Sequence, residues 1–385
     1  MAIMNEPLYV IVANPDGKRW QAYERDLLAF WHRHGCEPRV TLLPWREVVP
    51  RRGDVADLLE GNEPAVLRLE SPGRDQEVMR LLLEASDDSA SSQAWRDVPI
   101  AKGMLLRPSL LHRGFCRTLR GIRAALDRKR NVQPLACPLA VAELFDKTAT
   151  ARRLREAGLP CPAMIPAPSN ADVLLLELRE LKFKTAYVKL NTGSSATGIA
   201  VVHALDDPPW AITSMLRIGD FFYNTRKLQK ITGEQLDETL AFLIREGAFI
   251  QEGIPMAQID GQNFDLRVVV IHGRPAFTIF RLSGLPMTNL HLGGRRGDAA
   301  MCRAAVPTRA WLDALDHCVE AASLYDCAAV GVDLVFERGY ARHFLLEINA
   351  FGDFFPGLTD ATGRTIHATE ITMTAQKFAL LPAAD

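Results

Sequence analysis

The stretch GVDLVFERGYARHFLLEINAFGDFFPG, residues 331–357, carries Asp333 in its first half and Glu347 and Asn349 in its second. Over Ala329–Phe336 the apolar residues Val330, Val332, Leu334 and Phe336 alternate with Gly331, Asp333 and Val335. Over His343–Asn349, Phe344, Leu346 and Ile348 alternate with Leu345, Glu347 and Asn349. This period of two predicts a β-hairpin with one apolar face and one face bearing polar groups. The turn falls within residues 337–342 around Gly339, and an odd-length loop there keeps Asp333 and Glu347 on one side of the sheet. Buried acidic neighbours repel unless a cation sits among them, and an all-oxygen cluster of this kind suits Mg²⁺ bound together with phosphate oxygens. A solvated hairpin face would explain one acid; two acids and an amide beside Phe351, Phe354 and Phe355 point to a site.

Working outward, residues 265–271 (DLRVVVI) read as a strand with Asp265 and Arg267 on one face. If a hairpin at residues 272–275 sets Arg267 opposite Arg281, two like charges meet, which costs stability unless an anion lies between them. The alternative is that each arginine pairs with an acid, for which Asp265 is the nearby candidate. Residues 249–254 (FIQEGI) form an apolar strand end running into a linker. Two strands, Ala186–Leu190 and Ile199–His203, flank the loop NTGSSATG at residues 191–198. Such a loop can fold over a polyphosphate, offering backbone N–H groups and hydroxyls without clash, although a plain hairpin turn has the same composition. Lys189 points the same way as Tyr187, at the base of that loop. Asp146 is placed to cap a helix over residues 147–157, ended by Gly158-Leu159-Pro160, and a proline-rich connector leads to a helix over residues 171–181.

The amino-terminal region shows strands at residues 8–13, 40–43 and 65–69 and amphipathic helices at residues 20–34 and 76–84, an open α/β layer. It contains neither G-x-G-x-x-G nor a Walker A sequence. Ser71 before Pro72 fits a helix cap, whereas Glu70 and Arg74 at a strand end could meet a substrate. Both readings stand. The basic run at residues 113–131 is best explained as a solvated helix face, because a net charge of −1 gives no general attraction to nucleic acid or anionic membrane. At 385 residues with 48% hydrophobic composition the chain is long enough for two or three packed domains. Its seven scattered cysteines, without C-x-x-C, read as reduced thiols. No segment reaches membrane-spanning length, so a cytoplasmic protein is expected.

Taken in order, Asp146-Lys147, Lys189 with its Gly/Ser loop, Gln251-Glu252-Gly253-Ile254, Asp265-Leu266-Arg267, Thr288-Asn289-Leu290-His291-Leu292-Gly293-Gly294, Asp333 and Glu347-Ile348-Asn349 resemble the ATP-grasp superfamily from about residue 142 to 357. The D-L-R strand and the N-L-x-x-G-G stretch are most similar to the glutathione synthetase and ribosomal-protein glutamate ligase branch. The resemblance implies a fold of α/β and α+β class: an open α/β pre-ATP-grasp domain over residues 1–135, then a two-lobed ATP-grasp fold. Its first lobe, with the glycine-rich lid, would span residues 136–248, and its second, with the Mg-ATP site, residues 249–385.

By the same resemblance, Lys147, Lys189 and the lid residues Gly193, Ser194 and Ser195 would hold the ATP phosphates. Gln251, Glu252 and Ile254 would line the adenine slot, Asp265 would take the ribose hydroxyls, and Asn289 would sit near the triphosphate. Arg267 and Arg281 would contact the moving phosphoryl group, while Asp333, Glu347 and Asn349 would hold Mg²⁺, with Mn²⁺ as an alternative ion. Two departures bear on the substrate. Leu292 stands where the branch often has a basic residue, and residues 350–355 are inserted before Pro356-Gly357. The implied activity is an ADP-forming carboxylate–amine ligase working through an acyl phosphate on small-molecule or peptide substrates, with homo-oligomerisation left open. A small-molecule kinase and a non-catalytic ATP-binding regulator are the rival readings. His291 is a candidate base for the amine, with a structural histidine as the plainer account.

Overall fold

The computed structural model describes residues 7–59, 63–86, 95, 98–193, 197–351 and 355–380. The first sheet is parallel, in the order β2-β1-β3-β4, and consists of β1 (Leu8–Ala13), β2 (Arg39–Pro44), β3 (Ala65–Leu69) and β4 (Val132–Pro134). Apart from Arg68 of β3, its central strands are apolar on both faces, as a sheet covered on both sides requires. Tyr9 and Ile11 pack with Tyr23, Leu27 and Trp31 of the helix Lys18–Arg33. Val10, Val12 and Leu67 pack with Phe115 and Leu119 of the helix Pro108–Arg128. The last helix, Ile366–Lys377, adds Ile371 and Ala375 to the first of these clusters, so the end of the chain returns to the first layer. Among the described residues no helix is long and apolar enough to cross a membrane.

The second sheet is antiparallel, β5-β10-β6-β7-β8-β9, from β5 (Met164–Ile165), β6 (Ala186–Leu190), β7 (Ile199–His203), β8 (Trp210–Ile218), β9 (Phe221–Thr232) and β10 (Ala248–Glu252). One face, with Ala186, Val188, Leu190 and Ile250, packs on Leu174 and Leu178 of helix Ala171–Glu180 and on Leu236, Leu240 and Leu243 of helix Gly233–Arg245. Alternation leaves Tyr187 and Lys189 for the opposite face. Because β10 pairs with β6, the expected division at residues 248 and 249 falls at the start of a strand of this sheet.

The third sheet, β14-β13-β12-β15-β16, comprises β12 (Gln262–Ile271), β13 (Arg274–Ser283), β14 (Arg295–Arg296), β15 (Ala329–Phe336) and β16 (His343–Asn349), with β11 (Gln258–Ile259) paired to β12. Helix Thr308–Ser323 covers its apolar face, where Trp311 stacks on Phe280 at 5.8 Å. Both of its main hairpins carry a β-bulge, and each bulge corrects an expectation. The β15–β16 pairing runs Phe336↔His343 and Leu334↔Leu345, which encloses a loop of even length. A regular ladder would then put Leu346 opposite Asp333. The register instead shifts between Asp333 and Leu334, so that Glu347 faces Asp333 and Asn349 faces Gly331. The core face of β16 is consequently Leu345 and Ile348, not the expected Phe344, Leu346 and Ile348.

In the β12–β13 hairpin the shift lies between Val269 and Val270, opposite Ala276. An unshifted ladder would put Arg281 opposite Phe264; the shift puts it opposite Asp265, while Arg267 pairs across to Ile279 on one side and Asp333 on the other. The expected confrontation of like charges does not occur, because Asp333 supplies the second acid. A bulge adds one residue to one strand and so moves every later side chain to the other face. Here two bulges collect Asp265, Arg267, Arg281, Asp333, Glu347 and Asn349 on one face.

Candidate active site

That face closes one side of a cavity of about 580 Å³, and the second sheet closes the other. Every described candidate residue lines it: Lys147, Lys189, Gly193, Gln251, Glu252, Ile254, Asp265, Arg267, Arg281, Asn289, Asp333, Glu347 and Asn349. Ser194 and Ser195 lie outside the described residues. Lys147 is delivered by the helix Lys147–Glu156, whose cap is Asp146: its Oδ1 accepts from the Ala149 N–H at 2.8 Å and from Asn191 Nδ2 at 2.9 Å. The same side chain therefore ties the helix start to the base of the glycine-rich loop. Lys147 Nζ donates to the Gly193 carbonyl at 2.5 Å and stands 3.6 Å from Glu347. At the far end of that loop Gly198 has φ of +65°, and a Cβ there would fall 2.2 Å from Leu190 Cδ1, so glycine is required twice over.

Charge is arranged in two tiers. In the lower tier Arg281 donates from Nε and Nη2 to the two oxygens of Asp265 at 2.8 and 2.6 Å, and lies 3.1 Å from Asp333. Arg267 grips Asp333 through Nε and through Nη2, the latter at 2.7 Å. All four side chains are buried. Both oxygens of Asp265 therefore face Arg281, as both oxygens of Asp333 face Arg267. In the upper tier lie Glu347, Asn349, Lys147 and Lys189. Burial works to raise the Glu347 carboxyl, yet Lys147, Lys189 and Arg267 hold it well below the usual carboxylate range. Burial lifts the neighbouring Asp333 carboxyl above that range, by more than Arg267 and Arg281 offset. The two adjacent carboxyls are thus shifted in opposite directions, because burial dominates at Asp333 while the lysines and Arg267 dominate at Glu347. Burial also lowers the Lys189 ammonium to about 8; it donates to Gln251 Oε1 at 3.2 Å.

This donor set fits a hard divalent cation. It offers carboxylate and amide oxygens only, on paired strands, and added positive charge would relieve the conflict between Asp333 and Glu347. Around it Lys147, Lys189, Arg267 and Arg281 form a cationic wall suited to phosphate oxygens.

Other residues of the site were not foreseen. Arg19, just after β1, enters the cavity and donates from Nη1 to the Phe351 carbonyl at 3.0 Å. The signal was available, since ligands in open α/β sheets bind beyond the carboxyl ends of the strands. Tyr187 also lines the cavity and donates to the Pro286 carbonyl at 2.8 Å, bridging the second sheet to the segment that carries Asn289. His291 is exposed at the rim, its backbone N–H bound by Asn289 Oδ1 at 2.8 Å. Leu292 is buried against Ile199 and Val201 of β7. Of the two readings for residues 70–75, the helix is capped by Asp75, not Ser71, while Arg74 reaches Thr197 of the loop at 2.6 Å. Residues 352–354 of the insertion lie outside the described residues.

No protein-family model matches the chain, and no curated protein matches it in sequence. Solved structures match it in shape. The D-alanine–D-alanine ligase of Bacillus anthracis complexed with ATP superposes with a TM-score of 0.52 at 13% identity, covering 97% of each chain. D-cycloserine synthetase DcsG gives 0.51 at 12% identity, over 96% of this chain and 99% of that one. The macrocyclase MdnC of Microcystis aeruginosa MRC, bound with precursor peptide MdnA, gives 0.54 at 12% identity over the same shares. Likeness over nearly the whole length at so low an identity speaks for the fold, and that fold is the ATP-grasp fold.

Proposed function

We propose that the protein is an ATP-dependent carboxylate–amine ligase that releases ADP and phosphate. The observation that carries this reading is the Asp333–Glu347–Asn349 oxygen cluster ringed by Lys147, Lys189, Arg267 and Arg281 in one cavity. The fold it shares with D-alanine–D-alanine ligase and D-cycloserine synthetase supports it. Within the superfamily, Asp265-Leu266-Arg267 and Asn289-Leu290 with Gly293-Gly294 favour the glutathione synthetase and ribosomal-protein glutamate ligase branch.

In this scheme Gln251, Glu252 and Ile254 border the adenine, and Lys147, Lys189 and Asn289 take the phosphates under the loop at residues 191–198. Asp333, Glu347 and Asn349 hold Mg²⁺, which neutralises charge on the phosphate oxygens when bound. A substrate carboxylate oxygen bonds to the γ-phosphorus as the bond to the β,γ-bridging oxygen breaks, and ADP leaves with that electron pair. An amine then bonds to the acyl carbon; the acyl carbon–oxygen bond breaks, phosphate leaves, and the amine gives up a proton. Arg267 and Arg281 face the phosphoryl group, where fixed positive charge supplies most of the catalysis. Asp265 positions Arg281, since its two oxygens accept from Nε and Nη2.

The test is phosphate release by the pure protein with ATP, Mg²⁺ and pooled carboxylic acids and amines. Release that needs both an acid and an amine is expected. A stable phosphorylated product without amine would replace the reading with a kinase, and nucleotide binding without turnover across the pool would replace it with a regulator.

A further inference from the structure

A second cavity, of about 390 Å³, opens at the first sheet and shares Arg19 and Ser71 with the main one. It lies at the carboxyl ends of β1 and β3, adjacent parallel strands from which the chain departs in opposite directions, to β2 on one side and to β4 on the other. This is the switch point at which open α/β sheets bind ligands. Its floor holds Glu70, which is 3% exposed. Glu70 Oε1 accepts from Arg68 Nε at 2.7 Å, and Arg68 Nη1 also serves Glu370 at 2.6 Å. Glu70 Oε2 has no hydrogen-bond partner. Arg19 Nε stands 3.7 Å from it, beyond hydrogen-bond reach. One guanidinium is thus shared between two buried carboxylates, and a buried carboxylate oxygen without a donor is costly unless a ligand supplies one. The same cavity is lined by Asp16 and Gly17, where the helix Lys18–Arg33 starts with no capping side chain and no acidic residue in its first turn, a position that favours an anionic group.

We infer that this cavity is the subsite for a substrate bearing both an ammonium and a carboxylate, an amino acid or a short peptide, with the ammonium on Glu70 Oε2 and the carboxylate beside Arg19. An ammonium paired with a buried carboxylate stays protonated and has no lone pair for attack. The substrate held here is therefore the acid partner, and Arg19, at the junction of the two cavities, marks the side from which its carboxylate enters the main one. That assignment of role rests on the ligase reading; the binding itself does not.

Calorimetric titration without nucleotide tests it, using the standard amino acids, their D enantiomers and a set of dipeptides, each with its matched desamino acid. At least one amino acid or dipeptide is expected to bind, which also decides between the two sources. Its desamino acid should bind about 30-fold more weakly or worse, and Glu70→Gln should show the same loss. Should Glu70→Gln fail to fold, Ser71→Trp fills the cavity from its exposed wall without touching Arg68, and the same loss is expected. No binding across the panel, equal binding of the desamino acids, or unchanged affinity in the folded variant overturns the inference. If a ligand binds as described but phosphate release with ATP, Mg²⁺ and amines never follows, the ligase reading falls and the subsite stands.

Discussion

Replacing Arg281 by methionine separates what the lower charge tier does for stability from what it does for chemistry. The Arg281 and Asp265 side chains are 9% and 7% exposed, and Arg281 reaches both oxygens of Asp265. Arg267 would still hold Asp333, which also loses Arg281, so the loss falls chiefly on Asp265, left without its arginine. Removing one partner of a buried ion pair costs about 3–5 kcal/mol, whereas exchanging both partners for apolar groups is near neutral. Arg281→Met should therefore lower the urea midpoint by at least about 1 M, for a slope of about 3 kcal/mol per M. Asp265→Leu combined with Arg281→Met should recover most of it. Trp311, stacked on Phe280 next to Arg281, is a fluorescent reporter on this sheet. Both variants should lose phosphate release by about 10³-fold or more, the scale seen when an arginine facing a moving phosphoryl group is removed. A single variant costing under about 1 kcal/mol, or a double variant no more stable than the single, would refute the isolated-charge argument. A stable double variant that still turns over would remove Arg281 from the chemistry.

Asp333→Asn and Glu347→Gln should each reduce turnover by about 10²-fold or more while circular dichroism stays that of the folded protein; a normal rate in either breaks the metal assignment. In the proposed scheme Lys189, lowered to about 8 by burial, would bind phosphate oxygens only when charged, so nucleotide affinity should be level below that pH and fall as pH rises through it. Titrations at increasing pH check this, and Lys189→Gln should flatten the profile. Asp146→Ala removes the cap on Ala149 and the tie to Asn191, and should cost about 1–2 kcal/mol in thermal or chemical unfolding. A change within error would show that the helix start is held by other contacts.

Much of the site could be read one residue at a time. Period-two alternation placed β6, β7, β15 and β16, and the thirteen candidates that the resemblance implied all line one cavity. Asp146 was recognisable as a cap because a short acid before a helical run has one local use. The failures were those of register and of contacts far apart in sequence. Leu345 and Leu346 are both apolar, so alternation alone could not tell which faces the core, and the bulge that decides it leaves no compositional mark. Ser71 looked like a cap for the same reason that Asp75 is one, and the choice depended on where the helix began. Glu70 could be read as an acid at a strand end, but Arg19 was hidden, because the second cavity's walls come from two separate segments, residues 13–20 and 70–75.

By itself the sequence determined the strands that alternate most cleanly, though not β8 and β9, and it showed which side chains are charged within apolar surroundings and that oxygen donors and cations accompany a glycine-rich loop; these follow from local periodicity and side-chain chemistry. Only the tertiary structure decided the pairings, Arg281 with Asp265, Arg267 with Asp333, Glu347 opposite Asp333, and it left Glu70 with one oxygen unserved. Each of those outcomes depends on a one-residue shift in a ladder or on the meeting of distant strands, and strand pairing is set by the packing of the whole sheet rather than by any segment within it.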